Sequence, residues 1–442
     1  MQAPRLNRIT TLPQTIIEII LCLLPIEEAA RTSILSREWR YKWTTIPKLE
    51  FDESTVETST KEITVKRPRI MKQRDWWNLS RLESERRVKE LRCKLFCAIH
   101  QVLLLRQAPI LDFTLSIFTR HKCYEIDQII LHLSRNHTVM KLRLDFWGES
   151  SYRLPSSFFL LRHLTDLSLE RCDIYHEPIF NGFGNLTSLS LSRPSISTKS
   201  LLHLLSNCPS LKSFRLVSSY LYIHSRGLPN LSEYFKSMQF IDYEEFYGHE
   251  RPNIMELFKS LPVIEHLITW GYIAPLFVLD SVPQELPTSL INLKYFCFEQ
   301  MGIVNRDGYS FGLTFLVVLL KCSPNLEKME LEVDTDEDFD KGTLKLEEYS
   351  VIFENYSDVW LEHLNELKIQ HFSNLKPELE LVKFILARSP NLKKVILITW
   401  IDNKNEELEL LNVLSHAARA SQVEIVVENL WTESDSDDYE DV

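Results

Sequence analysis

The chain has 442 residues, 44% of them apolar, and a formal net charge of −11. That length predicts roughly two to four domains with an ample core, while the acidic balance argues against nucleic acid as a partner, because phosphate binding needs a basic face. The ten glycines form no Gly-x-Gly-x-x-Gly or Walker loop, and the eight cysteines form no Cys-x-x-Cys pair, so neither a nucleotide cradle nor a zinc ribbon is expected.

The first predicted element is a helix through Leu12, Ile16, Ile17, Ile20, Leu21 and Leu24, whose spacing gathers them on one face. Pro13 suits its first turn and Pro25 stops it. Glu27 and Glu28 favour the positive end of a second helix running to about Ser33. Ser36 can cap a third, with Trp39 and Trp43 four apart on one face. Three short helices cannot bury so many apolar side chains alone, so a partner is expected.

This stretch resembles the F-box. The residues that carry the likeness are Leu12-Pro13, Ile16, Ile17, Ile20, Leu21, Leu24, the run Ala29-Ala30-Arg31-Thr32-Ser33-Ile34-Leu35-Ser36, Trp39-Arg40 and Trp43, and the run from Ala29 to Trp43 is similar to the plant form of the motif. The resemblance implies that Leu12, Pro13, Ile16, Ile17, Ile20 and Leu24 bind a Skp-type adaptor and, through it, a cullin.

From Phe51 to about Ser84 the apolar periodicity stops, and the segment is expected to be a linker or insertion. Lys66-Arg67-Pro68-Arg69 reads as a solvated basic run or as a nuclear import signal. Helical spacing returns through Val88, Leu91, Leu95, Ile99, Val102 and Leu103, and ends at Pro109. Phe113 and Leu115 then alternate like a strand.

A helix–proline–strand unit recurs around Pro209, Pro262, Pro324 and Pro390. Before each proline lie Leu201, Leu204, Leu205; Ile254, Leu257, Phe258; Leu316, Leu319, Leu320; and Val382, Ile385, Leu386, a single helix face each time. After each lie Leu211, Phe214, Leu216; Ile264, Leu267, Thr269; Leu326, Met329, Leu331; and Leu392, Val395, Leu397. The strand part alone recurs at Val139, Leu142, Leu144; Leu164, Leu167, Leu169; Leu186, Leu189, Leu191; and Leu364, Leu367, Ile369. The interval from 214 to 267 would fit two units, with a degenerate one near Tyr234 or Phe240. The pattern resembles leucine-rich repeats, whose units bury their faces only by stacking into a curved solenoid.

From about Tyr356 the chain resembles the FBD domain, on Leu364-Asn365-Glu366-Leu367-Lys368-Ile369, on the run from Glu380 to Leu392, and on Arg419-Ala420-Ser421 before a strand at Val423 to Val427. The expected architecture is therefore α/β: a small helical F-box at 8–50, a linker at 51–84, an irregular leucine-rich-repeat solenoid at 85–355, an FBD module at 356–430 and an acidic tail at 431–442.

Candidate chemistry is sparse. Cys93, Cys97 and His100 have ligand-like spacing, but no fourth ligand accompanies them and helix packing is the simpler account. Asp336, Asp338, Asp340 and Glu347 match parts of a calcium loop, but Lys341 stands where a glycine is needed. Ser434 and Ser436 lie among acids, as acid-directed kinase sites do. No cofactor, metal, membrane or nucleic acid is expected, and no catalysis.

The F-box resemblance implies a substrate-recruiting subunit of an SCF-type (Skp–cullin–F-box) ubiquitin ligase in the nucleus or cytoplasm, or else a scaffold that binds a partner without degrading it. The unidentified protein target is expected on the strand face, at His266, Trp270 and Tyr295, because aromatic side chains dominate binding energy at interfaces. Trp270 has a second reading, as a side chain packed inward.

Overall fold

A computed structural model describes residues 12–54, 73–119, 123–148, 151–174, 182–217, 253–271, 273, 290–302, 311–334, 353–354, 356–399 and 404–429. The chain divides into two compact units, Met1–Leu186 and Thr187–Val442.

The first unit opens with helices α1 (Gln14–Cys22) and α2 (Ile26–Arg31), each preceded by a proline, and 3-10 turns at Thr32–Ile34 and Lys42–Thr45. Pro13 precedes α1 rather than filling its first turn, and its carbonyl accepts the first helical bonds, from Ile16 N at 3.0 Å and Ile17 N at 3.2 Å. The expected third helix does not form: Trp39 N bonds back to Ser36 O in a turn, and the short 3-10 segment buries Trp43 without a further helical turn.

Strand β1 (Lys48–Asp52) follows, then a long helix α3 (Gln73–Leu105), β2 (Asp112–Phe118), helix α4 (Tyr124–Asn136) and β3 (Lys141–Trp147). The short strands β4 (Tyr152–Arg153) and β6 (Cys172–Asp173) pair with each other, and β5 (Asp166–Glu170) lies between them in sequence. β1, β2, β3 and β5 form a parallel ladder in that order. Parallel neighbours need a crossover, and α3 and α4 provide two of them. Helix α4 buries Ile126, Ile129, Ile130 and Leu133, one face at helical spacing. Glu53 is buried just after β1; its carboxylate pairs with Arg92 Nε at 3.0 Å and accepts from Phe118 N at 2.7 Å, which satisfies the charge that burial exposes. Two expectations change here. β1 falls in a stretch with no predicted strand, and α3 begins twelve residues before Glu85, so residues 73–84 of the expected linker are helical.

The second unit carries β7 (Ser188–Ser192), helix α5 (Thr198–Ser206), β8 (Ser213–Val217), α6 (Ile254–Lys259), β9 (His266–Trp270) and β10 (Tyr295–Gly302). Helix α7 (Phe311–Cys322), β11 (Lys328–Asp334), β12 (Glu366–Phe372), α8 (Lys376–Arg388), β13 (Lys394–Thr399), α9 (Lys404–Ser415) and β14 (Glu424–Asn429) complete it. The eight strands among its described residues pair in parallel and in chain order. β8 and β9 are direct neighbours, with Ser213 opposite His266, so no extra strand from the intervening segment stands between them in the sheet. The predicted site of that strand, near Tyr234 or Phe240, lies outside the described residues.

The anchors of the repeat pattern are the buried positions. Leu189, Phe214, Leu267, Phe296, Met329, Leu367 and Val395 occupy one row across this sheet. Two backbone devices hold the register. First, a carbonyl ahead of each strand accepts from two consecutive N–H groups of the next: Lys212 O from Glu265 N (2.8 Å) and His266 N (2.9 Å), and Lys294 O from Glu327 N (2.9 Å) and Lys328 N (3.0 Å). Second, Asn292, Asn325 and Asn391 each donate a side-chain amide to a carbonyl of the preceding connection: Pro262 at 3.3 Å, Ile291 at 2.8 Å and Glu362 at 2.6 Å.

The strands also end alike. Arg193, Gln300 and His371, each four residues after its strand's first anchor, have positive φ, and the ladder shifts register beside Gln300 and His371. Gly271 holds the same place after β9, where a Cβ would lie 2.1 Å from the Gln300 carbonyl oxygen, so only glycine fits.

Candidate interaction surfaces

Helix α1 is apolar on both sides. Ile17 and Leu21 turn inward and are 2% and 1% exposed, above a floor that includes the Lys42–Thr45 turn, and Ile26, Ala29, Trp39, Trp43 and Ile46 are buried as well. The helix is held to the Lys42–Thr45 turn by polar bonds. Gln14 Nε2 donates to Thr45 Oγ1 at 3.3 Å, Thr45 Oγ1 donates to Glu18 Oε1 at 3.0 Å, and Lys42 Nζ bonds Gln14 Oε1.

The opposite side is bare. Ile16, Ile20 and Leu24 are exposed, as are Ile19 and Leu23, at 63% and 80%; Ile34 and Leu35 are exposed as well. Pro13 is exposed and Leu12 is half-buried. The sequence-predicted adaptor residues are therefore brought together with one exception. Ile17 packs inward, because the helix phase that turns Ile16 and Ile20 to solvent turns Ile17 and Leu21 to the floor. Ile19 and Leu23, which the sequence reading does not single out, share this exposed face. Their signal was available: from Ile16 to Leu24 the only charged residue is Glu18, so the helix is apolar beyond a single stripe.

On the strand face of the second unit, His266 and Tyr295 are opposed in the ladder and their rings lie 5.9 Å apart. His266 is exposed and Tyr295 half-buried. Trp270, expected beside them on the surface, is instead 2% exposed. The inward–outward alternation fails at the ends of β8 and β9, where two consecutive residues are buried in each, Leu216 with Val217 and Thr269 with Trp270.

Around His266 and Tyr295 the face is ionic. Arg215 reaches across β9 to Glu299 at 2.9 Å, and Lys328 lies between Glu330 at 3.0 Å and Glu366 at 2.9 Å. Hydrogen bonds to Glu366 and Glu330 raise the Lys328 ammonium above its ordinary range. Burial pushes the Cys297 thiol up to about 11, so it is neutral and unreactive at neutral pH. Such pairs contribute little to stability, but they set the charge pattern that a partner meets.

Cys93 and Cys97 are exposed, and the His100 ring is engaged through Nδ1 with Phe96 O at 2.7 Å. Among the described residues no group of three His, Cys, Asp or Glu side chains is placed to hold a metal. Asp336 to Glu347, Lys66 to Arg69, Ser434 and Ser436 lie outside the described residues. No described helix is long and apolar enough to cross a membrane.

Comparison with known proteins gives two family-model matches: the LRR repeats of the FBD-associated F-box protein At5g56370, over residues 130–273, and FBD, over residues 360–397. Among curated proteins, the chain is 30% identical to the F-box/FBD/LRR-repeat protein At1g13570 of Arabidopsis thaliana over 93% of this chain and 96% of that one. It is 24% identical to the FBD-associated F-box protein At4g10400, over 78% and 82%, and 22% identical to the FBD-associated F-box protein At5g38590, over 89% and 94%, both of that plant.

Proposed function

This chain belongs to the plant F-box/FBD/LRR-repeat family, and from that premise we propose that it is the substrate-recruiting, non-catalytic subunit of an SCF-type ubiquitin ligase. The F-box would occupy 8–50 and bind a Skp-type adaptor through Leu12, Pro13, Ile16, Ile20 and Leu24, joined by Ile19 and Leu23. A leucine-rich-repeat solenoid over 85–355 would hold a protein target, with His266 and Tyr295 in its contact face, and an FBD module would close the chain at 356–430. The residues between the F-box and the repeats would link them, and the acidic tail at 431–442 would remain solvated, in the nucleus or the cytoplasm.

The observation that supports this reading is the bare apolar face of α1. A helix this short, already packed through Ile17 and Leu21, gains nothing within its own fold from Ile19 and Leu23 in water. Burying each against a partner is worth roughly 1.5–3 kcal/mol. The mechanism needs no reacting group on this chain: tethering the target beside the ligase makes transfer effectively intramolecular.

Pull-down with a Skp-type adaptor tests the reading. The intact chain is expected to be retained, and Ile20→Asp with Leu24→Asp, or Leu12→Ala with Pro13→Ala, to be lost while melting is unchanged. Retention of the charged variant removes the assignment. Target half-life with and without the protein then separates a degrading receptor from a non-degrading scaffold.

A further inference from the structure

The connections that lead into β2, β3 and β5 border an open cavity of about 340 Å³, at the place where connections of the second unit are laced together. Counting back four residues from the first anchor of β10, β11 and β13 reaches Asn292, Asn325 and Asn391, whose amides bridge to the neighbouring connection. The same count from Phe113, Leu142 and Leu167 reaches Pro109, Thr138 and His163. None is an asparagine, no amide crosses there, and all three line the cavity.

The lining has two characters. Val139, Leu160 and Leu161 supply apolar wall, whereas Arg135 and Arg162 supply positive charge. No Asp or Glu lines it, in a chain whose formal charge is −11. Neither arginine is in an ion pair with a carboxylate among the described residues. The carbonyls at the end of α4, which would repel an anion, are partly occupied: Leu133 O accepts from His137 N at 3.2 Å and His132 O from Asn136 Nδ2 at 3.1 Å.

A metal cation does not suit the site. His137 Nδ1 accepts from Ile110 N at 3.3 Å, so its proton is on Nε2, which faces His132 Nε2 at 3.3 Å and has no lone pair to offer. Burial, with His132 and Arg106 nearby, lowers His137 to about 4, so this ring is neutral at neutral pH and the arginines carry the charge.

We propose that this cavity binds a small organic anion, with an apolar body of about one ring against Val139, Leu160 and Leu161 and a carboxylate or phosphate head on Arg135 and Arg162. The volume is at the low end of small-molecule sites, which limits the body to that size. Planar guanidinium forks match either head.

The test uses the full chain with phenyl phosphate, benzoate and neutral benzyl alcohol as probes, read by calorimetry and by amide hydrogen exchange. At least one anion is expected to bind and to slow exchange in 134–139 and 160–163, and benzyl alcohol at the same concentration is not. Tighter binding of phenyl phosphate assigns a phosphate head, and tighter binding of benzoate a carboxylate. Arg135→Gln with Arg162→Gln is expected to weaken the anion at least tenfold with little change in melting, since both side chains are exposed. Equal binding of the alcohol, unchanged affinity in the double variant, or no protection by either anion overturns the site.

Discussion

Helices α1 and α4 are both rich in isoleucine and leucine, yet they do different work. α4 places Ile126, Ile129, Ile130 and Leu133 inward and leaves polar groups such as Gln128, Arg135 and Asn136 in water. α1 buries only Ile17 and Leu21 and leaves five large apolar side chains between Ile16 and Leu24 exposed. The difference separates apolar surface that a fold consumes from apolar surface that it presents. Trp270 and Tyr295, on adjacent strands of the second unit, repeat the contrast at a smaller scale, one covered and one half-open.

The largest expected effect falls on covered surface. Trp270→Ala should cost roughly 3–5 kcal/mol in chemical denaturation, the usual range for truncating a buried tryptophan. A cost below about 1 kcal/mol would return it to the surface class. Ile130→Ala should cost roughly 2–5 kcal/mol by the same route.

On presented surface the readout changes. Ile20→Asp should leave stability within about 0.5 kcal/mol, as substitutions at exposed positions do, yet abolish adaptor capture. Loss of several degrees of melting temperature would show that this side of α1 is core, and the contrast with α4 would fail.

A pH series sharpens the comparison through Glu378, which burial drives up from 4.5 to about 7 despite bonds from the Ser373 and Leu375 N–H groups. The folded state holds this proton at pH values where the unfolded chain releases it. Stability from this group is therefore fully present below pH 4.5 and is lost as pH rises towards about 7. Glu378→Gln should flatten that slope in denaturation midpoints measured from pH 5 to 8, and an unchanged slope would assign it to other groups.

Among the variants that act through stability, the smallest loss is expected at Asn391→Ala, about 1 kcal/mol for one neutral hydrogen bond at an exposed position. Exchange should quicken first in the 361–364 connection that its amide bridges.

Much of the sheet was legible because its signal is short-range. Leu-x-x-Leu-x-Leu spacing placed Leu142, Leu189, Leu367 and Val395 in strands because each burial choice depends on neighbours two residues away. β1 went unread although Leu49 and Phe51 alternate with Lys48, Glu50 and Asp52, because no helix signature stands ahead of it to mark a repeat. The start of α3 was hidden because its first twelve residues set only Trp76, Trp77, Leu79 and Leu82 among polar and charged groups. In the candidate site, apolar spacing located α1 but could not tell Ile16 from Ile17. They are 100° apart on one broad apolar surface, and the Lys42–Thr45 turn decides which side is covered. Trp270 failed for a related reason: strict alternation predicts an outward side chain, but alternation stops where the strand ends.

The constant interval of four residues between bridging asparagine and strand anchor has a consequence for editing the chain. Removing residues 291–323 whole would join Leu290 to Pro324 and bring Asn325 to the carbonyl of Pro262, with β11 arriving beside β9 in unchanged phase. Deleting one residue between Asn325 and Met329 would instead pull the amide from its acceptor and turn every inward side chain of β11 outward. Length is thus free on the helical side of each repeat and rationed to the residue at the strand entrance. The long segment between β8 and β9 is accommodated on those terms, without loss of the pairing between Ser213 and His266.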